Sequence, residues 1–277
     1  MLVTAQQLEQ QMPDATQLYS DEPEMESSLH YLQLLLLVTS LEWLWRERED
    51  FFVGANLTIY FSRQQLRNRE FRGPDFFVVK ETEKKPRSSW VVWEEDGRYP
   101  DLIIELLSES TANVDRKVKK NLYQNRFRTP EYFWFSPADL EFVGFKLVGN
   151  TYQEIVPNAQ GWLWSQVLEL YLGVLSGKLR YFTSNGDLVP TPEEAAVALQ
   201  QQAQAAQQQA QAAQQQAQAA QQQAQAAQQQ AQAAQQQAQT AKAEASEAQL
   251  RLQQEQQRVA QLTEQLRSLG IDPSNLT

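Results

Sequence analysis

Two periodicities divide this chain. Up to about residue 190, apolar positions alternate between helical and strand-like spacing; from Gln201 a strict seven-residue repeat takes over. In SLHYLQLLLLVTSLEWLWRE the apolar residues recur at helical spacing and run into a charged end, which predicts a helix over 27–48. Short apolar or alternating runs then predict strands at 51–55, 57–61, 75–79, 90–93, 102–107, 132–135, 142–147 and 152–155. Helical spacing returns over 111–125. Helix, several strands, helix, strand describes an α/β or α+β domain built around a mixed sheet.

The repeat beyond residue 200 reads QQAQAAQ, with alanines at a 3,4 spacing from Ala203 and Ala206 to Ala245 and Ala248. The same phase continues through Leu252, Val259, Leu262, Leu266 and Leu269, interrupted by Glu255. Heptads sustained this long predict a coiled coil with a thin alanine seam that turns to leucine near its end. Thr191-Pro192-Glu193-Glu194 is a capping box with proline at the first helical position, and Gly270 with Pro273 forms a stop. The expected division is a globular domain over 1–190, a coiled-coil helix over 191–270 and a tail over 271–277. Such a rod predicts a parallel homo-oligomer zipped at its far end. A solitary Gln/Ala helix is the competing expectation for 201–240, because alanine buries little area.

Composition narrows the chemistry. The chain has no cysteine and one histidine, His30, so thiol nucleophiles, zinc-thiolate sites and multi-histidine metal sites are excluded. The start MLVTAQQLEQQ lacks a signal-peptide pattern, and the most apolar stretch, 31–38, falls short of the roughly 20 residues a membrane span needs. A soluble cytoplasmic protein without membrane partners is expected. Net charge is −10; residues 191–277 carry four basic and seven acidic side chains, leaving 20 against 27 before them. That balance argues against broad coating of nucleic acid but permits a local basic groove.

The chemistry centres on PDLIIELLSE, where Asp101 and Glu105 lie in a run that asks to be buried. On one strand they share a face but stand roughly 13 Å apart, too far to share an ion. Asp75, at the start of the 75–79 strand, would meet Glu105 if that strand paired antiparallel with 102–107. Two carboxylates so placed repel unless a cation lies between them, and oxygen-only ligation suits Mg²⁺ or Mn²⁺. The following helix carries Asp115, Lys119 and Tyr123 at a spacing of four, which puts them on one stripe. A lysine there could stabilise charge developing on a phosphate. Duller readings stand beside these: Asp75 as a turn residue, Glu105 in a structural salt bridge with Lys119 or Arg116, Asp101 as a strand cap, Tyr123 as core, and Lys120 as a rival to Lys119. Two basic clusters, Arg63, Arg67, Arg69 and Arg72, then Arg116, Lys117, Lys120, Arg126 and Arg128, would supply phosphate contacts if they flank the acids.

GPDFFVV, WEEDGRYPDLIIELLSEST, DRKVKKNLY and TPEYFWF, in this order, resemble the Uma2 or DUF820 family, assigned to the PD-(D/E)XK superfamily of nucleases and expanded in cyanobacteria. GWLWSQVLELYLG, Asn185-Gly186, TPEEA and the glutamine-rich tail ending LRSLGIDP are similar to a subgroup of it. The resemblance implies a restriction-endonuclease-like fold and a Mg²⁺-dependent (or Mn²⁺-dependent) DNA endonuclease that cleaves phosphodiesters with a metal-activated water. It places the acids and metal ligands on Asp75 and Glu105 and the catalytic lysine on Lys119. Asp101, Asp115, Tyr123 and Lys120 are supporting residues, and Arg72, Arg116 and Lys117 contact nucleic acid. The chain departs from the pattern at Leu107, where the superfamily's usual tripeptide has lysine, at Glu109, and at Asn125-Arg126-Phe127. The alternative is a catalytically inactive nucleic-acid-binding or adaptor protein oligomerised by its coiled coil.

Overall fold

The computed structural model describes residues 18–21, 27–62, 73–108 and 114–270. The chain divides into two compact units, Met1–Leu199 and Gln200–Thr277.

Helix α1 (Ser28–Leu44) is capped by Ser27, whose hydroxyl accepts from His30 N at 3.3 Å. It stops short of the expected 48, as the chain turns into RERED. His30 Nδ1 meets the Ser27 hydroxyl and Nε2 meets Leu106 O, both at 3.0 Å. A carbonyl only accepts, so Nε2 carries the proton, and the histidine ties α1 to the sheet.

The strands are β1 (Phe51–Ala55), β2 (Ile59–Tyr60), β3 (Phe76–Lys80), β4 (Trp90–Val91), β5 (Leu102–Leu106), β6 (Glu131–Phe135), β7 (Phe142–Val148), β8 (Thr151–Glu154), β9 (Leu163–Ser165), β10 (Leu170–Leu175) and β11 (Lys178–Phe182). Six form the main sheet in the order β1-β3-β5-β6-β7-β8. All its pairs are antiparallel except β5 and β6, which run parallel. A parallel neighbour requires a crossover. The segment between β5 and β6 contains helix α2, built from π-helical Val114–Lys119, a short α-turn Lys120–Leu122 and π-helical Tyr123–Phe127.

Both faces of the central strands are covered, so they read as continuous apolar runs. On β5, Leu102, Ile104 and Leu106 enter a core with α1 and Leu163, Leu172 and Leu179 of the small sheet. Ile103 faces the other way, into a core with Tyr123, Phe127, Tyr132 and Trp134. Period-two alternation puts Glu105 on that second face, toward α2.

Two expected strands are shorter than their apolar runs. Pairing in 57–61 is confined to Ile59–Tyr60, and the 90–93 run leaves the sheet after Val91 as a 3-10 turn, Val92–Glu94. The expected strands do not include the hairpin sheet β9-β10-β11. Its signal lay in Ser176-Gly177, both at positive φ (51° and 76°), which join β10 to β11 as a two-residue turn.

Helix α3 (Pro192–Ser268) starts as its capping box requires: Glu194 N donates to Thr191 Oγ1 at 3.2 Å, and Thr191 N to Glu194 Oε2 at 2.9 Å. It ends before Gly270, which takes φ +75°. At 1.5 Å per residue its 77 residues extend about 116 Å. Among the described residues no helix is long and apolar enough to cross a membrane.

Candidate active site

Asp75 reaches the site because the chain enters β3 packed closely against the backbone at Leu57. A Cβ on Gly73 would lie 2.1 Å from Leu57 O, so only glycine lets the two backbones approach there. The register Phe76↔Ile104 then brings Asp75 beside Glu105. Asp75 N donates to Glu105 Oε2 at 3.3 Å, and Asp75 Oδ2 accepts from Leu106 N at 2.7 Å. The carboxylate thus continues the ladder where the strand itself has ended.

Glu105 is fully buried. Its Oε1 accepts from the Tyr123 hydroxyl at 2.7 Å and its Oε2 from Lys119 Nζ at 3.0 Å. The same ammonium lies 2.9 Å from Asp115 Oδ1, an ion pair off the ideal hydrogen-bond angle. Asp115 is buried in turn, and its backbone carbonyl accepts from Tyr132 OH at 2.9 Å. Aromatic rings close this side: Tyr123 packs on Tyr132 and Phe127, with centroids 5.3 and 5.4 Å apart.

The winding of α2 makes this convergence possible. On a regular α-helix a spacing of four advances by about 40° per step, so Asp115, Lys119, Tyr123 and Phe127 would drift around the axis. The wider π-helical turns at both ends oppose that drift, and Asp115, Tyr123 and Phe127 are all buried. Such turns recur at functional sites.

The electrostatics follow from burial. Desolvation pushes the Glu105 carboxyl well above the usual range, and although Lys119 opposes the shift, Asp75 and Asp115 add to it. Burial also raises Asp75, against the pull of Lys119. Lys119 loses hydration too, which disfavours its charge; Glu105, Asp115 and Asp75 outweigh that loss and hold it firmly protonated. Burial, then the Glu105 charge, pushes the Tyr123 hydroxyl well up, so it stays a donor.

Three carboxyl groups therefore share one ammonium, and full ionisation leaves negative charge uncompensated. Among the described residues no three Asp, Glu, His or Cys side chains form a ready ligand set. A pair of carboxylates completed by water and substrate phosphate is, however, how Mg²⁺ is commonly held. Asp75 and Glu105, close enough to influence each other's ionisation, fit that pattern in donor type and charge.

Other expected residues lie elsewhere. Asp101 caps the opposite end of β5, where its Oδ2 accepts from Lys80 N at 2.7 Å. Lys120 points away from Glu105, with Nζ 3.4 Å from the Phe145 ring centroid and 5.5 Å from that of Trp134. Lys119 is thus the ammonium at the site. Arg116 is ion-paired with Glu141, while Lys117 is exposed beside it. Arg72, the Arg63, Arg67 and Arg69 cluster and Glu109 lie outside the described residues. Tyr132 was not singled out from sequence; its signal was the alternation of EYFWF, which sends Tyr132 and Trp134 to the α2 face.

A family model described as "Uma2: Putative restriction endonuclease" matches residues 6–176, more than half of the chain. Among solved structures, one described as a putative nuclease belonging to DUF820 from Anabaena variabilis is similar at 16% identity and a TM-score of 0.40, covering 55% of this chain and 80% of that one. No protein with a curated description matches. With its family model spanning both strands that carry the acids and the helix that carries the lysine, this chain belongs to the Uma2 family.

Proposed function

We propose that this chain is a DNA endonuclease dependent on Mg²⁺ or Mn²⁺, with Asp75 and Glu105 as the residues that hold the cation. The supporting observation is the convergence of Asp75, Glu105 and Lys119 from two adjacent strands and the crossover helix. When bound, the cation would supply Lewis-acid polarisation of a phosphoryl oxygen. Tyr123 fixes Glu105 Oε1 and thereby aims Oε2 at the site. Asp115 holds the Lys119 ammonium beside Glu105, where it stabilises charge developing on the phosphate. Burial keeps competing water from these groups and strengthens their fields.

The exposed apolar residues of α3 support self-association of this enzyme through its far end. Leu252, Val259, Leu262 and Leu269 are each at least half exposed along the heptad seam. The catalytically silent alternative draws on one observation: Lys119 already pairs with Glu105, as a purely structural salt bridge would.

Two measurements separate the readings. Supercoiled plasmid incubated with Mg²⁺ or Mn²⁺ is expected to be nicked by the wild type and spared by Asp75→Ala and Glu105→Ala. Calorimetric titration with Mn²⁺ is expected to give a binding heat that Glu105→Ala abolishes. Absence of both cleavage and Mn²⁺ heat in the folded wild type would establish the silent reading.

A further inference from the structure

Helix α2 has a second face, turned away from Glu105. Lys117, Val118, Asn121, Leu122, Asn125 and Arg126 line a groove of about 660 Å³. We propose that this groove binds a single-stranded segment of nucleic acid, an inference that takes its class of partner from the nuclease reading.

Charge distribution comes first. In a chain of net charge −10, most cations on this helix are already engaged: Arg116 by Glu141, Lys119 by Glu105 and Asp115, and Lys120 by aromatic rings. Lys117 and Arg126 are exposed, and no carboxylate among the described residues pairs with either. Arg126 lies over the Phe61 ring at 6.0 Å, the outer limit of a cation–π contact, which leaves its guanidinium N–H groups as donors; with Lys117 it puts two cations that no described carboxylate pairs into one groove, where they can meet phosphates.

The rest of the lining selects the form of polyanion. Of the lining amides, Asn125 Nδ2 donates to Asn121 Oδ1; Gln124, outside the lining and held by Tyr152 N at 2.8 Å, donates from Nε2 to Asn125 Oδ1 at 3.2 Å and so orients the pair. Amides offer both donors and acceptors, the complement of a base edge. Val118 is 48% exposed and, with Leu122, provides apolar surface against which a base can lie. Phosphates alone would need neither amides nor apolar surface. A duplex conceals base faces behind stacked neighbours, whereas a single strand presents phosphate, edge and face together. Lys117 and Val118 also adjoin Lys119 in sequence, so a strand in the groove lies about one helix diameter from the acids, or about 10 Å.

The test is fluorescence anisotropy of the full chain with a labelled single-stranded oligonucleotide and with its duplex, in chelator so that no cleavage occurs. Salt dependence reports phosphate contacts, with a slope of about 0.7 per phosphate for single strands. The combined Lys117→Gln, Arg126→Gln variant is expected to bind the single strand at least tenfold more weakly and to lower the slope by about 1.4. Asn121→Leu is expected to weaken binding with the slope unchanged. Both variants change exposed residues, and unaltered thermal midpoints verify their fold. Unchanged affinity and slope in the double variant, or losses seen only with duplex, would overturn the proposal. Because binding is read without metal, a wild type that binds the strand through this groove yet never cuts plasmid would refute the nuclease reading alone.

Discussion

At the scale of single residues, the chain tolerates buried acids only where each has a defined partner. Glu105 illustrates this at the site, and Glu131 offers a cleaner case away from it. Glu131 is buried on the α1 side of β6; Ser165 Oγ donates to its Oε2, and Gln166 N donates to its Oε1 at 2.7 Å. Desolvation nevertheless dominates those bonds and raises its pKa from 4.5. A carboxyl raised on folding binds its proton more tightly in the native state, so its contribution to stability is complete below the unfolded value and is lost as pH rises through the folded one. Thermal midpoints measured from pH 4 upward are therefore expected to fall in the wild type relative to Glu131→Gln, with the difference opening above about 4.5. A difference that is constant with pH would show that Glu131 is not the titrating group.

At the scale of elements, the junction into α3 shows a local signal strengthened by a tertiary contact. The capping box of Thr191 and Glu194 was legible as TPEE, but its anchor was not. Arg180 of β11, nearly buried, donates from both terminal nitrogens to Glu194, at 3.0 and 2.6 Å. Thr191→Ala is expected to cost about 0.5–2 kcal/mol, the usual range for a lost cap. Glu194→Ala is expected to cost more, because it also strips a buried guanidinium of its partner. Urea unfolding of both variants, followed by tryptophan fluorescence, checks the order; a smaller effect for Glu194→Ala would mean that the ion pair contributes little.

At the scale of the whole molecule, the sequence changes character where the first compact unit ends, at Leu199. From Gln200 to Ser268 helix α3 buries no residue of its own. A chain ending at Leu199 is expected to keep the thermal midpoint of the full-length sheet domain within a few degrees while losing most of its helical circular dichroism. Sedimentation of the two chains is expected to show the oligomer only in the full-length form. A truncated chain that remains oligomeric would place self-association in the sheet domain instead.

The sequence by itself determined what depends on neighbours along the chain. Strand periodicity placed β1, β3, β5, β6, β7 and β8, the TPEE box set the start of α3, the heptads set its length, and Gly270 set its end. Even the pairing of Asp75 with Glu105 was accessible, because two strands and a spacing rule suffice to state it. Only the tertiary structure decided which lysine serves Glu105, since 119 and 120 are adjacent and a π-helical winding, invisible to residue spacing, turns one to the acid and the other to Phe145. It alone engaged Arg116 with Glu141, left Lys117 and Arg126 without a carboxylate among the described residues, and folded β9-β10-β11 back over the core. Such outcomes rest on contacts between residues far apart in sequence, where packing and charge balance outweigh local preference.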